Sequence, residues 1–291
     1  MSNIIATLPK VDLCRDFAAS VSGAHLRERA GKKGAKLTTW RTFDSVKEFR
    51  QSLAAVRKSL NAPGHFEQAA VHILENLIER SIVHTEFHVD PLASNVPIDK
   101  QLARIENGYE IVADEYEEAL VSFGFILELD RGADPAAQRN AIDAAIESSK
   151  RVLGVAFVGP ETALNKPQLE LAEYCRSKDL RLIISAGYEP GSKGIHDAVA
   201  LKVDRVLHGF GVLKHNDALT QLRARRTPFV CTPTIEVQSG RAKSYARHPI
   251  AKMAEAGLFC TFASGAPVLF SGSLTSEFEH LSVHLGWRLD Q

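Results

Sequence analysis

The side chains able to do chemistry in this 291-residue chain gather at the ends of short apolar runs. VDLCRD, residues 11–16, carries Cys14 and Asp16 two positions apart, on one face of an extended segment. IVHTEFHVDP, residues 82–91, alternates, with His84, Glu86, His88 and Asp90 on one face and Thr85, Phe87 and Val89 on the other. A strand buried on both sides keeps four titratable groups on one face only where they reach a mouth or pair with one another. RLIISAG leads into Ser185 and Tyr188, RVLHG ends in His208, PFVCTPT holds Cys231 and Thr232, and FCTFASG holds Ser264 and Gly265. A thiol, imidazoles and carboxylates in one place are the parts of a nucleophile with a general base, or of acid–base work alone. In that reading Cys14 is the nucleophile, His208 the base, and Asp16 and Glu86 the acids. His88, Ser185 and Ser264 are candidate substrate contacts beside them. Cys14, Asp16, His88 and His208 are also types that bind a divalent metal, which leaves a relocated metal site as an alternative.

The elements that must position these groups repeat. Eight apolar runs, at 11–16, 82–91, 119–130, 152–159, 181–187, 205–209, 228–234 and 259–265, alternate with amphipathic helical stretches. This is the pattern of strand–helix units around a parallel sheet. DSVKEFRQSLAAVRKSL reads as a helix capped by Asp44, and DPAAQRNAIDAAIESSK as one with Pro135 in its first turn. No G-x-G-x-x-G follows the first run, so an open dinucleotide-binding sheet loses its main support. The expected architecture is α/β, a single (β/α)8 TIM barrel spanning 1–291, with its site at the carboxyl ends of the strands.

Composition narrows the partners. Thirty-five basic and thirty-five acidic residues cancel, so no net field recruits nucleic acid or an anionic membrane, and the expected partner is a small molecule. No segment approaches the apolar run of roughly 20 residues that a membrane span needs, and the start has no secretory pattern; a soluble cytoplasmic protein is expected. Cys14, Cys175, Cys231 and Cys260 lie far apart with no C-x-x-C spacing, which reads as reduced thiols. The basic loop ERAGKKGAK and the turn EPGSKG could each meet an anion at the mouth. FEHLSVHLGW presents Phe278, Leu281, Leu285 and Trp287, an apolar face suited to a second subunit and hence to a homodimer.

In order along the chain, RVLHGF, FVCTPTIEVQSG, ARHPIAKMAEAGL and SGSLTSEF resemble successive motifs of the adenosine deaminases. In that family a strand-six G-H-G, a C-P-T-S-N-x-Q-T-G segment, an E-H-P-I helix and a final S-G-T-x-L-T-x-E stretch follow one another. LPKVDL and GVAFVGPE resemble its first and fourth strands, so the likeness covers nearly the whole chain. It implies an eight-stranded barrel and an ancestry in zinc-dependent deamination of purines, in the amidohydrolase superfamily. Relative to the family, the chain reads as shortened after its last strand and helix.

The family's chemistry does not carry across position by position. Its first-strand H-x-H, both zinc ligands, falls on Cys14 and Asp16, and its H-A-G-E, a ligand and the catalytic acid, falls on Ser185 and Tyr188. Its final Asp-Asp pair falls on Gly265 and Ala266, and its ribose-binding aspartate on Ala18. What the resemblance retains is His208, where the family orients the attacking water, and Gly159, at a backbone contact to the base. Tyr188 stands where the family has its glutamate, in a place to supply a proton or a hydrogen bond. Catalytic zinc needs about three protein ligands and an open position. No zinc or other cofactor is therefore expected, nor deamination of adenosine by the family route. The expectation is metal-independent acid–base or nucleophilic chemistry on a purine-like or other small N-heterocyclic or nucleoside substrate. The alternatives are a non-catalytic binder that contacts its ligand through Gly159, Tyr188 and His208, and an aminohydrolase with a relocated ligand set. If His84, Glu86 and His88 pair among themselves below the mouth, binding gains; if Glu86 and His88 point free into the pocket, catalysis gains.

Overall fold

The computed structural model of the chain describes residues 2–24, 43–116, 121–188 and 193–287. Eight strands form one parallel sheet in sequence order: β1 (Lys10–Asp16), β2 (Ile82–Val89), β3 (Ser122–Asp130), β4 (Val152–Val158), β5 (Arg181–Ala186), β6 (Arg205–His208), β7 (Phe229–Cys231) and β8 (Cys260–Phe262). The ends of the sheet meet just beyond β8, where Asp16 N–H donates to the Gly265 carbonyl at 2.7 Å and Gly265 N–H to the Cys14 carbonyl at 2.9 Å. Sequential parallel neighbours that close on themselves make a (β/α)8 barrel, as the alternation of runs implies.

The period-2 pattern sorts the strands into two layers. Ile126, Ala156, Ile183, Leu207, Val230 and Ala263 face the axis and form a small inner core. Phe87, Phe125, Phe157 and Phe229, 0–1% exposed, face outward under the helices. The layers fill the middle of the barrel with side chains, so it is a packed core and not a pore.

Helices α1 (Ser2–Thr7), α2 (Val46–Ser59), α3 (Pro63–Glu79), α4 (Ile98–Glu115), α5 (Pro135–Ser148) and α6 (Lys166–Ser177) precede or separate the strands of the first half. α5 begins as its sequence dictates: Asp134 accepts from the Ala136 and Ala137 N–H groups, with Pro135 next in line. α2 starts one residue later than expected. Ser45 is its cap, accepting from Glu48 N–H at 3.2 Å, while the Glu48 carboxylate accepts from the N–H of Asp44, the residue before the cap, at 3.1 Å. One stripe of α2, Phe49, Arg50, Leu53 and Arg57, faces the barrel mouth at helical spacing.

The second half carries α7 (Gly194–Ala200), α8 (Asn216–Ala224), α9 (Pro233–Gln238), α10 (Ile250–Glu255), α11 (Pro267–Phe270) and α12 (Leu274–Leu285). The α12 face expected to be free for a partner packs instead on its own barrel. Leu281 is buried, Phe278, Leu285 and Trp287 lie against the core, and the Phe278 ring meets Phe262 edge-on at 4.5 Å. Among the described residues, no helix is long and apolar enough to cross a membrane. ERAGKKGAK lies outside the described residues, as do the first four residues of EPGSKG.

Candidate active site

At the carboxyl end of the barrel, below α2, lies a cavity of about 190 Å³. Cys14, Asp16, His88, Gly159, Ser185, Tyr188 and His208 all line it, together with Arg57, Asp90, Glu128 and Asp130. Strands deliver these groups because inward positions at their last turns have no further layer above them.

His208 ends β6 with a left-handed backbone, φ 65°, which is uncommon for a side chain with a Cβ, and Gly209 after it is left-handed as well, φ 78°. Its Nδ1 lies 2.7 Å from Glu236 Oε1, and Glu236 Oε2 lies 2.6 Å from His248 Nε2. The Ile250 N–H donates to His248 Nδ1, so the His248 proton sits on Nε2 and is given to Glu236. Burial opposes the Glu236 charge, but its hydrogen bonds to His208 and His248 outweigh this and hold the carboxyl at about 2. An ionised carboxylate only accepts, which assigns the His208 proton to Nδ1 and leaves Nε2 with a lone pair on the cavity side. The Tyr188 ring packs 4.5 Å from the His208 ring. Burial pushes the Tyr188 phenol up to about 12, and its hydroxyl is paired with Ser239.

Across the cavity stands a second imidazole. His88, 1% exposed, has Nδ1 at 3.2 Å from Glu128 Oε1. Burial disfavours its charge, but the neighbouring Cys14 sulfur and Glu128 carboxylate raise it to about 10. Cys14 thus pairs with His88, whereas His208 is turned to Glu236. No well-aligned hydrogen bond completes the contact: His88 Nε2 is buried without a partner.

Arg57 reaches down from α2 into three carboxylates. Its Nε and Nη2 donate to Asp16 Oδ2 at 2.8 and 2.5 Å, Nη2 also to Glu128 Oε2 at 2.5 Å, and Nη1 to Asp90 Oδ2 at 3.3 Å. Asp16 and Glu128 share one guanidinium nitrogen, Arg57 Nη2. Burial works against Glu128 too, but Arg57 and His88 prevail and hold it at about 2, while burial and the Glu128 charge push Asp16 upward.

These side chains are a poor donor set for zinc. Ser185 and Gly265 offer nothing comparable to imidazole or carboxylate, and both Asp16 oxygens are engaged, Oδ1 by Ala19 N–H at 2.7 Å and Oδ2 by Arg57. Among the described residues, no three His, Cys, Asp or Glu side chains converge in a way that could hold a metal ion.

Two expected site residues lie elsewhere. Glu86 points to the opposite, amino-terminal end of the barrel, where it forms a two-pronged pair with Arg205; two residues along a strand move a side chain about 6–7 Å down the axis. Ser264 is held under the mouth, donating to Asp12 Oδ2 at 2.5 Å and accepting from Arg15 Nη1 at 3.3 Å, in a polar cluster that ties β1 to the end of β8. The titratable face of β2 therefore divides, with His84 bonded to Ser122, Glu86 at the bottom and His88 at the mouth. Gly159 lines the cavity with φ 90°; a Cβ there would meet Asp130 Oδ1 at 2.7 Å, and its carbonyl accepts from Arg50.

Arg57, Glu128, Glu236 and His248 complete the site without having been singled out in the sequence. Glu128 has a signal in the sequence, since FILELD alternates in the same way as β2. Glu236 and His248 lie in FVCTPTIEVQSG and ARHPI, segments whose signal in the sequence is their resemblance to family motifs.

The adenosine deaminase family model matches residues 19–291. The adenine deaminase of Wolinella succinogenes is 25% identical over 98% of this chain and 89% of its own length. Among solved structures, a zinc-bound amidohydrolase from Burkholderia ambifaria superposes with a TM-score of 0.84 at 21% identity, covering 99% of this chain and 84% of that one. The N6-methyl-AMP deaminase of Arabidopsis thaliana superposes at 0.87 and 19% identity, covering 100% and 90%. With the match reaching from just after β1 to the last residue, the chain belongs to the adenosine deaminase family.

Proposed function

We propose that this barrel performs metal-independent acid–base or nucleophilic chemistry on a purine-like or other small N-heterocyclic or nucleoside substrate, and that it does not deaminate adenosine. The observation that carries the reading is the His208–Glu236–His248 chain at the cavity wall. Its geometry supports His208 as general base: Nε2 accepts a proton from water or from the substrate, and the Glu236 carboxylate stabilises the imidazolium that forms. Glu128 orients His88 in the same way beside Cys14, an arrangement suited to a sulfur nucleophile. Adenine deaminase and N6-methyl-AMP deaminase relatives support the choice of a purine-like ligand.

Binding without turnover is favoured by one feature, the pairing of the Tyr188 hydroxyl with Ser239, which occupies the group that stands where the family has its acid. One assay separates the readings. Chelator-treated and zinc-supplemented protein is incubated with adenosine, adenine and a panel of purines, pyrimidines and pteridines, with products followed by mass spectrometry. The proposal expects turnover of a heterocycle by zinc-free protein that is lost in His208→Ala. Binding with no product from any compound supports the pseudoenzyme, and conversion of adenosine to inosine abolished by the chelator overturns both.

A further inference from the structure

We propose that the Arg57 guanidinium is the resident cation of the barrel mouth, seated among Asp16, Glu128 and Asp90, and that it closes to divalent metals the place where a zinc enzyme of this fold would put its ion. The geometry is that of a fixed cation rather than a passing surface pair. Four donor–acceptor contacts join one guanidinium to three carboxylates, and the Arg57 side chain is only 11% exposed. Asp16 is one of the two β1 positions that match the family's ligand pair, so the arginine is bound to the one carboxylate that position retains.

Two further observations support the assignment. His88 stands against the same carboxylates, with its Nδ1 3.2 Å from Glu128 Oε1, so loss of its proton to an incoming metal would add a nitrogen ligand next to Asp16 and Glu128 once the arginine leaves. Arg57 also shares its stripe of α2 with Phe49 and Leu53, which line the same cavity. Burial disfavours its charge, but Asp16, Glu128 and Asp90 outweigh that and hold Arg57 above the ordinary arginine value. A guanidinium matches carboxylates through its planar fork and keeps its proton at every accessible pH, so it can neutralise the cluster permanently where zinc would need free lone pairs.

The inference deepens the metal-independent reading and supplies its cause, so the test must separate the two. Wild type, Arg57→Met and Arg57→Met/Asp16→Asn/Glu128→Gln are each incubated with zinc chloride, desalted, and analysed for metal content; each is also melted with EDTA and with zinc. Wild type is expected to take up no zinc and to melt at one temperature in both conditions. In Arg57→Met the released Asp16, Glu128 and His88 must first turn toward one another, since among the described residues no three such side chains converge with the arginine in place; the variant is then expected to take up about one equivalent and to melt roughly 5 °C or more higher once zinc is at about 100 times its dissociation constant. The triple variant, with charge removed on both sides, is expected to fold and to bind none. An equivalent held by wild type with its arginine in place overturns the proposal, as does a folded Arg57→Met that takes up none. If Arg57→Met folds in neither condition, the triple variant decides: recovered folding upholds the cation role and continued failure overturns it. The heterocycle assay of zinc-free wild type tests the functional reading separately.

Discussion

His208 donates its Nδ1 proton to Glu236 Oε1 across 2.7 Å, and this contact fixes which ring nitrogen faces the cavity. Glu236 is fully buried and receives Thr232 N–H and His248 Nε2–H besides, so its orientation is determined from three sides. In Glu236→Gln one oxygen becomes an NH2 donor, which cannot accept from both imidazoles. The expected outcome is a mixture of His208 tautomers and a loss of turnover of about 10²–10⁴-fold, carried in kcat more than in KM. Nitrogen-15 histidine spectra read the tautomer directly; an unchanged His208 signal in the variant would show that Glu236 does not set it.

Cys14 is expected to be the most reactive of the four cysteines. It lines the cavity next to a cationic imidazole, a setting in which thiols attack electrophiles. Burial pushes Cys175 and Cys260 up to about 12 and Cys231 well above its ordinary value, so all three stay thiols. Brief iodoacetamide treatment followed by peptide mapping should therefore label Cys14 first, and His88→Gln should slow that labelling by about 10-fold. Equal labelling of all four cysteines, or a rate indifferent to His88, would remove Cys14 from the list of nucleophiles.

The barrel was legible because its evidence is periodic. Eight alternating runs needed only their order to imply the sheet, and each strand found in the fold starts or ends within three residues of the run that announced it. Cys14, Asp16, His88, Tyr188 and His208 were legible for the same reason, since a strand end in such a barrel is a place in the site. Depth along the axis was not. Glu86 and His88 share a face, and period-2 reasoning cannot say which of them reaches the mouth. Arg57 was hidden for another reason: on a helix, an arginine in the inward stripe reads like one more solvated charge until the three carboxylates it meets, from β1, β3 and the end of β2, are brought under it.

Glu86→Gln separates the two ends of the barrel. Glu86 is paired with Arg205, and both side chains are largely buried, 10% and 16% exposed. Removing the charge leaves the Arg205 guanidinium short of a partner, though it retains the Leu13 carbonyl at 3.1 Å. The expected cost is about 1–3 kcal/mol of stability, below that of a fully buried pair because both groups keep some water. Chemical denaturation measures this. Ligand binding at the mouth is expected to be unchanged, and a variant of wild-type stability that no longer binds would return Glu86 to the site.

Glu277 makes the stability of the fold depend on pH in a direction opposite to most carboxylates. It is 0% exposed on α12 and accepts the Thr234 N–H through both oxygens, at 3.3 and 3.1 Å. Burial pushes its carboxyl up to about 8, the Glu236 and Asp12 charges add to this, and the Thr234 hydrogen bonds oppose it. Between its ordinary 4.5 and about 8, the folded chain holds a proton that the unfolded chain has released, so stability falls as pH rises through that window. His88 acts in the same sense: its contribution is full below 6.5 and is lost as pH climbs toward about 10. Glu128 and Glu236 behave conversely, contributing above 4.5 and losing that contribution as pH falls toward about 2. A melting curve measured from about pH 5 to pH 9 should therefore slope downward, by a few kcal/mol at most. Glu277→Gln keeps an acceptor for Thr234 and has no proton to lose. Its melting temperature should stay flatter across pH 5–8 and exceed that of wild type at the alkaline end. Two parallel curves would mean that Glu277 is ionised throughout, with its charge compensated by Thr234 and its surroundings.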